Sequence, residues 1–305
     1  VHELTLGNSH IKTGAMALGC MRMADLTAGD AAQVIETAAE VGMNLFDHAD
    51  IYAKGEAETR FAEAFTKTSL NRDDVLLQSK CGIQKGWYDF SKAHIIQSVE
   101  DSLKRLGTDY LDTFLLHRPD ALMEPEEVAA AFDELEAAGK VRFFGVSNHN
   151  PHQIALLKQA VTQPLLVNQL QFSLVHTPLI DAGLNVNMRN DAAVVRENGI
   201  LEYCRLNNMT IQAWSPFQHG MIEGVFIGHP DFPNVNHVLE VMAAEKHTNV
   251  SALAAAWILR HPAKMQPIIG SMNPSRIQEI AEAVDVTLSR EEWYELYRAA
   301  GNDLP

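Results

Sequence analysis

A carboxylate, a phenol, an ammonium and an imidazole recur in this chain at the ends of short apolar runs. Asp47 closes the run Asn44-Leu45-Phe46, Lys80 closes Val75 to Lys80, His117 closes Leu111 to His117, and Tyr52 follows Asp47 by one short turn. Charged groups at the end of an apolar strand are poorly solvated, and unpaired burial is costly, so such groups need partners. Asp47 and Lys80 on neighbouring strands can neutralise each other. A phenol titrates near ~10, and a nearby ammonium stabilises the phenolate and lowers that value. Tyr52 would then serve as a general acid toward a carbonyl oxygen, with His117 orienting that carbonyl or sharing the proton. Three other readings stay open. One is an ion pair of Asp47 and Lys80 that only closes the strand ends; the second makes Lys80 the Schiff-base nucleophile of an aldolase; the third makes Asp47, His48, Asp50 and His117 the ligands of a metal hydrolase. Metal sites usually bring closer sets, such as H-x-H on one strand.

The elements that must position these groups alternate regularly. A hairpin is predicted over Glu3 to Lys12, turning at Gly7-Asn8-Ser9. Strands follow at Ala15 to Leu18, 44–47, 75–80, 111–117, 143–147, 165–171, 210–214 and 267–270. Helical period links them over 30–41, 56–65, 91–106, 125–138, 151–160, 192–206 and 251–260, with closing helices over 274–283 and 290–300. The stripes Ala31, Val34, Ile35, Ala38 and Ile95, Val99, Leu103, Leu106 mark the buried faces of two of them. Strand–helix alternation predicts a parallel sheet. Eight units predict a closed (β/α)8 barrel, an α/β fold occupying the whole chain, 1–305, as one domain. The fingerprint G-x-G-x-x-G of a doubly wound nucleotide-binding sheet is missing after the first strand, where Gly14 and Gly19 do not fit its spacing. Residues 172–190 and 217–234 read as long irregular loops, which in compact domains are usually functional.

Composition narrows the classes. With 24 Lys and Arg against 39 Asp and Glu, the formal charge is −15, so a nucleic-acid partner is disfavoured. At 47% apolar residues the chain can bury a large core, and no apolar run approaches the roughly 18 residues of a membrane span. Cys20, Cys81 and Cys204 are too few and too widely spaced for a disulfide scaffold or a zinc site, which points to free thiols in a reducing cytoplasm. No signal peptide is visible at the start of the chain.

The segments Phe46-Asp47-His48-Ala49-Asp50-Ile51-Tyr52, Lys80 and Leu115-Leu116-His117 resemble the Asp, Tyr, Lys, His tetrad of the aldo-keto reductases. Gly139 to Asn148 resembles that family's fifth-strand signature. Asn168-Gln169, Ala213-Trp214-Ser215-Pro216, and Ile268-Ile269-Gly270-Ser271 through Arg276 follow in the family's order, so the resemblance runs from about residue 3 to 300. It implies NADPH-dependent reduction of a small-molecule aldehyde or ketone, or the reverse oxidation of an alcohol, with NAD as a possible second cofactor. It further implies Tyr52 as the acid, Lys80 and Asp47 tuning it, and His117 placing the carbonyl. Ser147, Asn148 and Gln169 would hold the nicotinamide carboxamide and Trp214 would stack on its ring. Ser215, Pro216 and Phe217 would pass the pyrophosphate. Ser271 and Arg276 would hold the 2′-phosphate, and Glu279 would reach the adenine. Gly270 stands where many members carry a phosphate-binding Lys, which weakens the expected selectivity for NADP. Ile280 stands where the family often has Asn facing the adenine. For the substrate, Cys20, Met21 and Met23 after the first strand, and Trp87, Tyr88 and Phe90 after Lys80, are candidate linings of the mouth, with Met21, Trp87 and Tyr88 foremost. Arg22 and Lys85 are the only basic residues in those loops, which gives no signal for a strongly anionic substrate. The alternative on the same scaffold is a regulatory protein that holds nicotinamide cofactor without useful turnover.

Overall fold

The computed structural model describes residues 3–304. Eight strands pair in parallel around a closed barrel: β1 (Ala17–Gly19), β2 (Leu45–Asp47), β3 (Leu76–Cys81), β4 (Leu111–Leu116), β5 (Val141–Ser147), β6 (Leu165–Gln171), β7 (Thr210–Trp214) and β8 (Gln266–Ile269). Each strand pairs with its successor, and β8 closes on β1 with Ile268 opposite Ala17. The crossovers are helical: α1 (Ala28–Glu40), α2 (Glu56–Phe65), α3 (Lys92–Leu106), α4 (Pro125–Ala137) and α5 (Pro151–Leu157) each follow one strand. The later crossovers are double, with α6 (Pro178–Leu184) and α7 (Ile200–Leu206) after β6, and α8 (Pro233–Glu245) and α9 (Val250–Leu259) after β7. After β8 come α10 (Pro274–Ala281) and α11 (Arg290–Ala299).

Side-chain chemistry sets the helix starts. Thr27 Oγ1 accepts from the Asp30 N–H at 3.1 Å, and Ser91 Oγ from that of His94 at 3.3 Å. Asn150 and Gln153 form a reciprocal capping box behind Pro151. Each such cap satisfies a backbone donor that the helix leaves open, worth about 1 kcal/mol. The predicted stripes of α1 and α3 are buried.

Three expectations need correction. The helix expected over 192–206 is a single turn at Asp191–Ala193 followed by α7, because Asn198 and Gly199 both adopt left-handed backbone, which no right-handed helix can pass through. The stretch 172–190, read as irregular, contains α6. The stretch 217–234 contains a two-strand ribbon, Gln218–His219 with Gly224–Val225, and leads into α8. Pro233, Asn234 and Asn236 are weak helix formers and hide the start of α8, while its buried Val235, Leu239, Met242 and Ala243 keep helical spacing.

Two cores hold the barrel. The larger lies between strands and helices, where Phe132 of α4 stacks on Phe144 of β5 with ring centroids 3.9 Å apart. Trp257 and Trp293 stack at 4.7 Å and exchange indole N–H bonds to each other's carbonyl, fixing α11 against α9. Cys20, Cys81 and Cys204 are buried, unpaired thiols. The smaller core fills the N-terminal end of the barrel. The hairpin pairs Glu3–Thr5 with Lys12–Gly14, ending two residues beyond the predicted Lys12, and its Leu6 and Ile11 pack against Ala17, Leu45, Leu115, Leu166, Val167 and Ile268. This plug leaves the other end of the barrel as the open mouth.

The hairpin meets the turn after α1 at very short range: a Cβ on Gly14 would lie 1.9 Å from the Gly42 carbonyl oxygen. Overpacking of this kind typically costs about 1–3 kcal/mol. Gly14→Ala is therefore expected to lower the denaturant midpoint by at least that equivalent; an unchanged midpoint would contradict the close approach.

Candidate active site

Strand alternation sends successive side chains to opposite faces. On β2, Leu45 and Asp47 point into the barrel while Phe46 packs in the outer core; on β3, Gln78 and Lys80 point in while Leu77 and Cys81 point out. Lys80 has no exposed surface, and its Nζ donates to Asp47 Oδ2 at 2.8 Å, the His48 carbonyl at 2.8 Å and Tyr52 Oη at 3.2 Å. Those three bonds use every donor an ammonium has. The other oxygen of Asp47 accepts from Gln78 Nε2 at 2.6 Å and Gln169 Nε2 at 3.1 Å. A buried ion pair is tolerable only when its remaining hydrogen-bonding capacity is met, and here it is.

Tyr52 is presented by a strained turn. Ala53 and Lys54 have φ of 48° and 57°, left-handed values that cost a non-glycine residue roughly 1–2 kcal/mol each. Gly55 then turns at φ 92°, where a Cβ would meet the Arg105 side chain at 2.8 Å. Arg105 is fixed by Glu58, which has no exposed surface, at 2.7 Å, and Glu58 also accepts from Ser79 Oγ at 2.6 Å. The ring of His117 stands edge-on to Tyr52 with centroids 6.0 Å apart, and its Nδ1 is buried without a partner among the described residues.

The electrostatics follow from this packing. Burial works against the Lys80 ammonium, but the Asp47 carboxylate and Tyr52 outweigh it and hold Lys80 above its ordinary value. Burial also raises the Tyr52 phenol, and Lys80 pulls it back only in part. The expectation that Lys80 lowers the phenol below its ordinary value is thus corrected: desolvation wins, and the phenol keeps its proton at neutral pH. Burial, Lys80 and Arg118 hold His117 well below the ordinary imidazole range, so its ring is neutral. Burial, then Glu58, pushes Asp50 up to about 7, and burial with Lys80 pushes His48 down to about 3.

Around this centre the mouth gathers most of the other expected residues. Ser147 Oγ donates to the Gln169 carbonyl at 2.9 Å, and Asn148 Nδ2 to Ser147 Oγ at 2.8 Å. The Trp214 indole N–H donates to Asn148 Oδ1 at 3.1 Å, which locks the ring at the end of β7. Gln169 points inward, and both hydrogens of its amide are engaged, on Asp47 and on Gln212 Oε1 at 3.0 Å. It can therefore offer a ligand only its carbonyl oxygen. Ser215 has left-handed backbone (φ 52°) and begins the loop through buried Pro216 and half-buried Phe217.

On the far rim, Gly270 faces open space, and Ser271 Oγ accepts from the Asn273 N–H at 3.3 Å. Arg276 is exposed in the first turn of α10, and its guanidinium has no ion pair among the described residues; Glu279 is exposed one turn on. A flat indole, an open glycine and an unpaired guanidinium spaced along one rim fit an extended dinucleotide bearing a terminal phosphate. Ile280 is buried in the core, so that position offers an adenine nothing.

Among the proposed pocket residues, Met21 is exposed, and Trp87 and Tyr88 are exposed on a small ribbon (Ile83–Gln84 with Trp87–Tyr88). Cys20, Met23 and Phe90 do not line the mouth; all three are buried in the outer core. Sequence reasoning missed Arg118, whose guanidinium lies 5.9 Å over the Trp214 ring with no hydrogen bond or ion pair among the described residues. Its signal was its place directly after His117. The four groups of the metal reading do not converge: the His48 ring packs edge-on to Phe61 at 4.7 Å, outside the barrel. Among the described residues no group of three or more His, Cys, Asp and Glu is placed to hold a metal ion.

Comparison with known proteins gives the family. The sequence profile of the aldo/keto reductase family matches residues 10–300, and the chain belongs to that family of oxidoreductases. It is 34% identical over 288 residues to a 6-dehydroglucose reductase of Agrobacterium fabrum, covering 91% of this chain and 90% of that one. It is 33% identical to the oxidoreductase YdhF of Escherichia coli across the full length of both. Among solved structures, a thermostable aldo-keto reductase crystallised with the inhibitor epalrestat superposes with a TM-score of 0.77 at 22% identity, covering 98% of this chain and 100% of that one, a likeness of fold.

The raised Asp50 carboxyl gives a pH signature. Its folded value of about 7 exceeds its ordinary 3.8, so folding favours its protonated form, and its effect becomes destabilising as pH rises from about 4 to 7. Asp50→Asn is expected to raise the melting temperature relative to wild type at pH 8, with the gain shrinking steadily as pH falls toward 5. A pH-independent difference would refute the buried-carboxyl assignment.

Proposed function

We propose that this chain is an NADPH-dependent reductase of an aldehyde or ketone, also able to oxidise the corresponding alcohol, with 1–305 working as one barrel domain. The observation that carries the reading is the single ammonium of Lys80 bonded to both Asp47 and Tyr52, with the neutral ring of His117 beside the phenol. Bound NADPH would supply the hydride. Tyr52 donates its proton to the carbonyl oxygen, and the charge left on the phenolate is met by Lys80 at 3.2 Å. His117, being neutral, offers a ring N–H that orients the carbonyl without competing as an acid. Asp47 keeps Lys80 charged through the cycle.

The cofactor assignment rests on Trp214 for the nicotinamide ring, and on Ser147, Asn148 and the Gln169 carbonyl oxygen for its carboxamide. Ser215, Pro216 and Phe217 border the pyrophosphate, Gly270 gives it room, and Ser271 and Arg276 take the 2′-phosphate with Glu279 toward the adenine. A guanidinium suits a phosphate because its fork can bind two oxygens at once. Relatives named for 6-dehydroglucose reduction support a polyhydroxylated aldehyde as substrate, met by Arg118, Met21, Trp87 and Tyr88. The Schiff-base reading is disfavoured by the same geometry, because a buried ammonium held protonated by Asp47 has no free lone pair. The buried, unpaired thiols of Cys20, Cys81 and Cys204 suit a reducing compartment, and the reading places the chain's action in the cytoplasm.

Tyr52→Phe is expected to lose carbonyl turnover by at least roughly 100-fold, the scale of general acid catalysis, while still quenching Trp fluorescence on NADPH addition. Wild-type turnover in that variant would remove Tyr52 from the mechanism. Arg276→Ala is expected to weaken NADPH binding by about tenfold or more, the scale of one charge-assisted contact, with NADH binding unchanged. Equal losses for both cofactors would refute the 2′-phosphate contact.

A further inference from the structure

The interior of the barrel is crossed by four glutamines on four different strands, and the proposed function uses only one of them. Gln78, Gln212 and Gln266 have no exposed surface, and Gln169 has almost none. Gln78 Nε2 donates to Asp47 Oδ1 at 2.6 Å and, across the barrel, to Gln212 Oε1 at 2.8 Å. Gln169 Nε2 makes the matching pair of bonds to the same two acceptors. Gln212 Nε2 passes to Gln266 Oε1 at 2.9 Å, and Gln266 Nε2 ends the chain on the Gly14 carbonyl at 2.8 Å and Thr13 Oγ1 at 3.2 Å. Thr113 Oγ1 supplies the donor to Gln78 Oε1 at 2.9 Å. The register explains the ladder: Asp47 sits opposite Gln78, Gln78 opposite Thr113, Gln169 opposite Gln212, and Gln212 opposite Gln266.

An amide is ambiguous on its own, but this network admits one sense. An ionised carboxylate only accepts hydrogen bonds, so both amides on Asp47 Oδ1 must present their N–H2 groups. That choice fixes Gln212 as acceptor to both, and fixes Gln266 in turn. An apolar residue in place of Gln78 would leave Asp47 Oδ1 with a single amide donor, that of Gln169. Polar groups this deep are retained at a desolvation cost, and the layer ends on the carboxylate that holds Lys80.

We infer that Gln78, held between Gln212 and Thr113, is a positioning residue for the acid: it fixes Asp47, and through Asp47 the ammonium that carries Tyr52. It has no exposed surface to offer substrate or cofactor. The inference rests on the carbonyl-reductase reading above.

The test compares wild type, Gln78→Met, Tyr52→Phe and Thr113→Val on an aldehyde that the wild type reduces with NADPH. Gln78→Met keeps the side-chain length and removes both donors. Its kcat is expected to fall about tenfold or more, the scale of one hydrogen bond to a charged group, with NADPH affinity by Trp fluorescence and aldehyde KM within twofold or so of wild type. With the Asp47 charge less shielded, the phenolate is disfavoured, so the rise of alcohol oxidation with pH moves to higher pH. The charged and titratable groups facing Tyr52 are Lys80, Asp47, Cys20 and His117, and Gln78→Met changes none of them. Thr113→Val, which keeps both Gln78–Asp47 and Gln78–Gln212 bonds, is expected to retain most of the kcat. Where Gln78→Met does not accumulate as folded protein, Gln212→Met, which removes the acceptor that anchors both amides, carries the same prediction. Wild-type kcat and an unmoved pH profile in the glutamine variant, with Tyr52→Phe inactive, would overturn the inference alone. A wild-type protein that reduces no aldehyde or ketone, or an active Tyr52→Phe, would overturn the reading beneath it.

Discussion

The chain depends on one buried charge pair. Asp47 and Lys80 meet at 2.8 Å inside the barrel, almost wholly removed from water. Desolvating two ions is expensive, and the attraction between them offsets that only if every remaining lone pair and proton is used. The surroundings of the pair read as the solution to that requirement. Lys80 finds a carbonyl and a phenol for its other protons, and Asp47 finds two amides for its other oxygen. The amides in turn need acceptors, and the demand spreads through Gln212 and Gln266 to the backbone of the N-terminal hairpin. The polar layer thus lies between an apolar plug at one end of the barrel and the reactive mouth at the other.

The same accounting shapes the chemistry. A phenol beside an ammonium is expected to be acidified, yet desolvation of Tyr52 outweighs Lys80 and leaves a firmly protonated donor. His117 is kept neutral by burial, Lys80 and Arg118, so in the proposed reaction it would contribute direction without charge. The strained turn at Ala53 and Lys54 is held by the neighbouring Glu58–Arg105 pair, so the structure stores roughly a few kcal/mol of backbone strain in presenting Tyr52.

The fold was legible because its signals are local. Apolar runs ended at Asp47, Lys80 and His117, the helical stripes of α1 and α3 were regular, and each catalytic candidate lay at a strand end, where barrel topology gathers them. What stayed hidden depends on pairing across the barrel. Gln78, Gln212 and Gln266 look like ordinary polar residues in short strands; only closure of the sheet brings Gln78 within reach of Gln212, 134 positions away. Gln169 was read as a ligand contact because nothing local shows that its amide is already committed. Arg118 lay beside a recognised residue but is visible as unpaired only against the full set of acids. Helix α8 was lost behind Pro233 and two asparagines, although its buried face keeps helical spacing. Met23 and Phe90 were placed in the mouth by loop position, whereas their side chains turn into the outer core.

The Asp47 charge organises the barrel interior. Denaturant unfolding of Asp47→Asn against wild type at neutral pH tests this most directly, because the substitution keeps the shape while removing the charge and turning one acceptor oxygen into an N–H2 donor. Stranding the buried Lys80 ammonium and reversing the demand on both amides should lower the unfolding free energy by about 3–5 kcal/mol. Stability within the usual ±0.5 kcal/mol or so of a neutral substitution would contradict that role of the charge.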